Sequence, residues 1–218
     1  MTEPANTDLK TSTLPHTAAA IARKSLTIVA FGSSTTEGVG ASRPENTYPA
    51  RLAMELTQAL PGVRVTVLNR GQGGEEAEDL AGRVPDVIAD RPDLVIFQTG
   101  TNDALREVPL KRFLELTRDG LDAFRAAGID VMLMEPQYCR AMLDAPHGSE
   151  YVQAMRDLGA AYAVPVNRRH ELMRGWLESG RFRYSDIVTE DDLHMADAGY
   201  AALARAVADQ ILALAQAR

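Results

Sequence analysis

The sequence predicts an α/β fold built on a mostly parallel sheet with helices on both faces. Short apolar segments alternate about five times with longer segments whose apolar residues recur at helical spacing. Glycine-rich or polar turns come directly after several of the apolar segments. This alternation is typical of right-handed β-α-β crossovers, which bury the strands between two layers of helices.

Each predicted element has its own local signal. The predicted strands are short apolar runs, as buried parallel strands are, and they span residues 26–31, 63–68, 94–98, 130–134 and 164–166. The predicted helices carry an apolar stripe, such as Leu52, Leu56 and Leu60, and end at stop signals such as Gly128. They span residues 48–60, 75–89, 110–127, 150–162, 169–178 and 196–215, whereas residues 136–149 are predicted to be irregular.

The length of 218 residues suits a single domain. We expect the domain to span residues 25–218, with residues 1–24 forming an N-terminal extension that is either disordered or an oligomerisation arm. The sequence therefore does not decide whether the protein forms a homo-oligomer. The extension has early acidic residues and no long apolar core, so it is not typical of a signal peptide, and we expect a cytoplasmic protein. The single cysteine, Cys139, excludes an intrachain disulfide.

Composition argues against several classes of partner. The net charge of −7 and the lack of a concentrated basic face argue against a nucleic-acid partner. The longest apolar runs are too short to span a membrane. The four histidines lack the spacing of metal ligands, and residues 71–74 do not form a dinucleotide-binding motif, so we expect neither a metal nor a cofactor. A small molecule is the expected partner.

Polar, glycine-rich segments follow three of the predicted strands: residues 32–34, 69–74 and 100–103. The carboxyl ends of parallel strands share one edge of the sheet, where ligands bind in folds of this class. Ser34 is a candidate nucleophile because the N-terminus of a following helix would stabilise its alkoxide. Taken alone, a serine at this position is more often a helix cap than a nucleophile.

His194 lies three residues after Asp191, just before the last predicted helix. A turn would let the carboxylate hold Nδ1 of the ring and leave Nε2 to accept the serine proton. Gly71 and Asn102 are candidate donors to an oxyanion, through a backbone N–H and a carboxamide, as is the backbone N–H of Ser34. Each of these residues also has an ordinary interpretation. Asp191 would cap a turn and His194 would be a surface or core histidine, while Gly71 would form a tight turn and Asn102 would cap a helix.

Together these segments resemble the sequence blocks of SGNH (GDSL-type) hydrolases. The resembling segments are residues 31–38, 69–74, 100–103 and 191–194, and the similarity covers nearly the whole chain. The resemblance implies a flavodoxin-like three-layer α/β/α sandwich with about five parallel strands. It also implies that Ser34 is the nucleophile, that Asp191 and His194 complete the triad, and that Gly71 and Asn102 belong to the oxyanion hole.

One position departs from the family pattern. Ser33 stands where the family has the aspartate that precedes the nucleophile. This leaves open how the nucleophile turn is braced, and it makes Ser33 an alternative to Ser34. No GxSxG motif surrounds Ser34, so the sequence does not indicate an α/β-hydrolase elbow.

The predicted function is a serine esterase that cleaves carboxylic esters through an acyl-enzyme. We expect short acyl groups, such as acetyl esters of carbohydrates. Tyr138, Met142 and Leu143 lie in the irregular segment after the fourth strand and are expected to line the substrate pocket; a plain surface loop is the alternative. An acyltransferase that uses the same acyl-enzyme and a non-catalytic ligand-binding protein are the alternative functions.

Overall fold

The computed structural model describes residues 13–216 and contains a five-stranded sheet whose strands are all parallel. This confirms the predicted fold class. The strands span Ser25–Gly32 (β1), Arg64–Gly71 (β2), Leu94–Gln98 (β3), Asp130–Met134 (β4) and Val166–Asn167 (β5), and their order in the sheet is β2-β1-β3-β4-β5. Strands β3 and β4 are buried along their full length, as the apolar runs of the sequence predict for central parallel strands.

The helices surround this sheet and include several short ones at its carboxyl edge. Their bounds are Pro15–Ala22 (α1), Ser34–Glu37 (α2), Tyr48–Ala59 (α3), Ala77–Ala89 (α4), Thr101–Leu105 (α5), Leu110–Ala126 (α6), Arg140–Asp144 (α7), Gly148–Tyr162 (α8), Arg169–Glu178 (α9), Tyr184–Ile187 (α10) and Asp197–Gln216 (α11). The segment predicted to be irregular, residues 136–149, thus contains α7 and the start of α8. No helix within residues 13–216 is long and apolar enough to cross a membrane.

Helix α1 packs against the sheet, so this part of residues 1–24 differs from the expected extension. Leu14 is buried, and Thr17 donates two hydrogen bonds to the Asp130 carboxylate, from its backbone N–H at 2.7 Å and from its hydroxyl at 2.8 Å. These bonds tie α1 to the start of β4 and satisfy a carboxylate that is itself buried. Residues 1–12 lie outside the described part of the chain.

An aromatic cluster packs in the core between β1, β3 and α6. The rings of Phe31 and Phe97 stack with centroids 5.3 Å apart, and Phe124 packs edge-on against both. Phe31 pairs with Phe97 across the two strands, so β1 and β3 reach the same edge of the sheet together. The turns that follow Gly32, Gly71 and Gln98 therefore meet at one place.

Candidate active site

Ser34 lies directly beyond the end of β1, as the first residue of the one-turn helix α2. Ser33 is the N-cap residue of α2, and Ser34, just past the carboxyl end of β1, is half-buried. The first N–H groups of a helix have no acceptor within the helix. The N–H of Ser34 is one of these groups, and no acceptor for it occurs among the hydrogen bonds of residues 13–216.

Gln98 braces this turn from the end of β3 and is fully buried. Its Oε1 accepts hydrogen bonds from the Ser33 N–H at 2.9 Å and the Thr36 hydroxyl at 3.0 Å, while its Nε2 donates to the Ser33 hydroxyl at 3.1 Å. The residues on both sides of Ser34 are thus held by one amide. This contact accounts for the serine at position 33: its buried hydroxyl serves the brace, while the hydroxyl of Ser34 faces the site.

His194 reaches Ser34 from a turn that precedes α11. The Nε2 atom of His194 lies 3.0 Å from the Ser34 hydroxyl oxygen, and its Nδ1 lies 2.6 Å from Oδ2 of Asp191. The three side chains thus form one hydrogen-bonded chain, although Ser34 and His194 are 160 positions apart in sequence. The His194 side chain is 16% exposed, so the ring is shielded but remains open to a ligand.

The Asp191 carboxylate also builds the turn that carries His194. Its Oδ1 accepts hydrogen bonds from the Thr189 hydroxyl at 2.7 Å and from the N–H groups of Leu193 and His194, both at 2.9 Å. Burial alone would raise the pKa of this carboxyl, but the hydrogen bonds from His194, Thr189 and Leu193 outweigh it and lower the pKa well below its usual range. Asp191 is therefore an anion at neutral pH, as a partner for an imidazolium must be.

Gly71, predicted as an oxyanion donor, does not have a free N–H group. Its N–H donates to Oδ1 of Asn69 at 2.8 Å. A Cβ at Gly71 would lie 2.0 Å from the backbone nitrogen of Glu37. Glycine is thus required here because α2 packs closely on the end of β2, and the structure does not support Gly71 as a donor.

Gly73 and Gly74, in the loop that follows β2, come next, and Gly73 lies close to Ser34. A Cβ at Gly73 would lie 3.8 Å from the Cβ of Ser34, and the Gly73 N–H is occupied by a 2.7 Å hydrogen bond to Oε2 of Glu37. Gly74 follows with a φ of +80°, in the left-handed region that favours glycine, and among the described residues its N–H has no hydrogen-bond acceptor. Gly74 is therefore a candidate oxyanion donor in place of Gly71.

Asn102 lies on the other side of this loop, in the first turn of α5. Its Nδ2 donates to the Glu75 carbonyl at 2.7 Å, which uses one of the two amide hydrogens and fixes the carboxamide against the loop. The neighbouring Asp103 is buried, and its Oδ1 accepts the N–H of Ala77 at 3.0 Å. Residues 75–77, which directly follow Gly74, are thus fastened to the start of α5.

A model of the Non-GDSL lipase-like family matches residues 2–217. The chain belongs to this family. Among solved structures, it is similar to a two-domain esterase active on acetylated mannans, co-crystallised with mannopentaose, at 22% identity and a TM-score of 0.74. The match covers 92% of this chain and 52% of that one, so the chain spans about half the length of the two-domain esterase.

The chain is also similar to Axe2, an acetylxylan esterase from Geobacillus stearothermophilus, at 22% identity and a TM-score of 0.70, with 86% of this chain and 94% of that one covered. TesA is similar at 20% identity and a TM-score of 0.69, with 86% and 97% covered. No curated protein is significantly similar to the chain in sequence. The family match and these folds confirm the resemblance to SGNH hydrolases.

The three residues predicted to line the substrate pocket of this family member differ in their surroundings. Met142 is buried with 2% exposure, whereas Leu143 is 54% exposed. The Tyr138 ring packs edge-on against His170, with centroids 5.0 Å apart. Met142 therefore contributes to the core, and Tyr138 and Leu143 remain the candidates for ligand contact.

Sequence reasoning missed Gly74, Gln98 and Gln137, which also belongs to the buried surroundings of the site. Gly74 could have been weighed against Gly71, since both lie in the same glycine-rich segment. The glutamines carry no motif and are found only from their contacts. No group of three potential metal-ligating His, Cys, Asp or Glu residues occurs within residues 13–216.

Proposed function

We propose that the protein is a serine hydrolase of carboxylic esters, with Ser34 as nucleophile and His194 as general base. The observation that supports this most is the continuous contact from the Ser34 hydroxyl through His194 to Asp191, at 3.0 and 2.6 Å. A serine hydroxyl is a weak nucleophile unless a positioned base accepts its proton. The ionised Asp191 holds the ring so that Nε2 faces the serine.

In this mechanism, the Ser34 oxygen attacks the ester carbonyl carbon while its proton moves to Nε2 of His194. The carbonyl oxygen becomes an oxyanion, which the N–H groups of Ser34 and Gly74 and the second amide hydrogen of Asn102 would stabilise. His194 then returns the proton to the leaving alcohol, and the acyl-enzyme forms. Water, activated by the same imidazole, releases the carboxylic acid and restores Ser34.

The substrates we propose are short-chain esters, in particular acetyl esters of carbohydrates. The support is the likeness of the fold to an esterase active on acetylated mannans and to an acetylxylan esterase. A series of p-nitrophenyl esters from acetyl to dodecanoyl, together with acetylated xylo- and manno-oligosaccharides, tests this. A rate that rises with acyl length would contradict it.

The nucleophile is tested by Ser34→Ala with Ser33→Ala as the matched control. Loss of Ser34 should remove the burst of p-nitrophenol from p-nitrophenyl acetate and lower kcat by at least about 10⁴-fold. Loss of Ser33 removes only a hydroxyl of the brace and should leave the burst intact. Turnover that survives in Ser34→Ala and disappears in Ser33→Ala would reassign the nucleophile, and turnover that survives in both would reject the mechanism.

A further inference from the structure

A buried amide links the two parts of the site that must stay aligned. Gln137 follows the end of β4 and is 1% exposed. Its Nε2 donates to the carbonyl of Leu193, the residue before His194, at 3.1 Å. Its Oε1 accepts from the hydroxyl of Thr101, the residue before Asn102, also at 3.1 Å.

Arg169 determines which way this amide points. Arg169 is fully buried, and its Nη2 donates to Oε1 of Gln137 at 2.8 Å. Guanidinium groups only donate and carbonyl groups only accept. The Gln137 oxygen must therefore face Arg169, and its nitrogen must face the Leu193 carbonyl.

Arg169 itself is held from the strand end. Its Nε donates to the carbonyl of Glu135 at 3.0 Å, just beyond β4. Burial lowers its pKa to about 10, so the side chain remains cationic at neutral pH. The Glu135 carboxylate is bound to Arg156 instead, which makes the Gln137 oxygen the side-chain acceptor for the Arg169 charge.

We propose that Gln137 is a positioning residue that sets the distance between the His194 turn and the oxyanion turn at Asn102, with Arg169 fixing its orientation. This inference rests on the proposed function, because both turns act on the same reacting ester. One amide contacts the residue immediately before each of the two groups. A change in either contact alters where His194 stands relative to the oxyanion donors.

The test compares Gln137→Met and Gln137→Glu, with Gln153→Met as control because Gln153 is exposed on α8. Methionine has a similar volume but makes none of the three hydrogen bonds. Glutamate keeps the acceptor for Arg169 and Thr101, and gains an ion pair with the buried cation, but it cannot donate to Leu193. A purely structural role predicts that activity follows stability; a positioning role predicts that Gln137→Glu remains stable and still loses activity.

The measurements are kcat and KM for p-nitrophenyl acetate, thermal unfolding, and the ring ¹⁵N and Nδ1–H resonances of His194. Both Gln137 variants should lose kcat by about 10-fold or more, with KM changed less than about twofold, because misplacement affects the reacting geometry. The His194 resonances should shift or broaden in both. Gln153→Met should match the wild type in every measurement.

Two results would overturn the proposal: kcat within about twofold of wild type in both Gln137 variants, or unchanged His194 resonances in a folded variant. If Gln137→Met does not fold, Gln137→Glu decides. If the wild type does not hydrolyse the ester, the proposed function fails at that step, and the His194 resonances still show whether Gln137 holds the turn.

Discussion

Replacing Asp191 with asparagine separates the two tasks that this carboxylate performs. Its Oδ1 accepts three hydrogen bonds from the turn, at 2.7–2.9 Å, and the amide oxygen of asparagine can accept the same three. Its Oδ2 faces Nδ1 of His194 at 2.6 Å, where asparagine would place an NH₂ group. The turn is therefore preserved, while the contact with the ring is changed.

Two N–H donors cannot face each other at this distance. We expect the imidazole of the variant to carry its proton on Nε2 and to accept from asparagine through Nδ1. Nε2 then has no lone pair for the Ser34 proton. In serine proteases this substitution lowers kcat by about 10⁴-fold, which corresponds to about 5.4 kcal/mol at 1.36 kcal/mol per tenfold change.

The assay is kcat for p-nitrophenyl acetate at pH 7.5, with thermal unfolding measured in parallel. Asp191→Ala is the matched control, because it removes the tautomer effect and the turn acceptor together and should unfold at a lower temperature than Asp191→Asn. Asp191→Asn that keeps more than about a tenth of the wild-type kcat would refute the reasoning. An equal loss of thermal stability in both variants would show that the turn needs the negative charge of the carboxylate and that an accepting oxygen alone does not hold it.

Three further substitutions test the surroundings of Ser34. Asn102→Ala should lower kcat by about 10²–10³-fold, as the loss of an oxyanion donor does. In the wild type, a bound alkylboronate should shift the amide resonance of Gly74, the other proposed donor. A shift at Gly71 instead would contradict the assignment of Gly74 as a donor. Gln98→Met should lower kcat by about 10-fold with little change in KM, since the nucleophile turn loses its brace; a change in KM alone would speak against this. Burial raises the pKa of Asp103 to about 6, above its unfolded value of 3.8, so its stabilising effect is lost as pH rises through about 6. Asp103→Asn should therefore raise the unfolding temperature more at pH 8 than at pH 5, and an equal change at both would contradict the raised pKa.

The sequence predicted β3 and β4 to the residue and the bounds of the other strands less well. Strands β3 and β4 match their predicted bounds because every residue in them is buried, which leaves an unbroken apolar run. Strand β5 has only two residues, so its pattern is too short to locate. Helix α1 is alanine-rich with no clear apolar stripe, and its attachment depends on the distant Asp130, which no local pattern reveals.

In the candidate site, too, the sequence predicts some features and not others. Asp191 and His194 lie within one turn, so their spacing permits the contact that the structure shows. Gly71 and Gly74 are indistinguishable as residue types, and only the hydrogen bond from Gly71 to Asn69 shows that its N–H is occupied. Local sequence thus identifies which chemical groups reach the carboxyl edge, whereas the availability of a backbone N–H depends on tertiary contacts.

The two residues that hold this edge in place are both neutral amides, and their chemistry explains why. Gln98 and Gln137 each accept with the oxygen and donate with the nitrogen. A carboxylate in either position could accept but not donate. At position 137 the Leu193 carbonyl would lose its donor, and at position 98 the Ser33 hydroxyl could only donate and no longer accept. A carboxylate would also add a buried negative charge, which costs free energy unless a cation pairs with it. A buried amide therefore fixes two chain segments at once without adding a charge of its own.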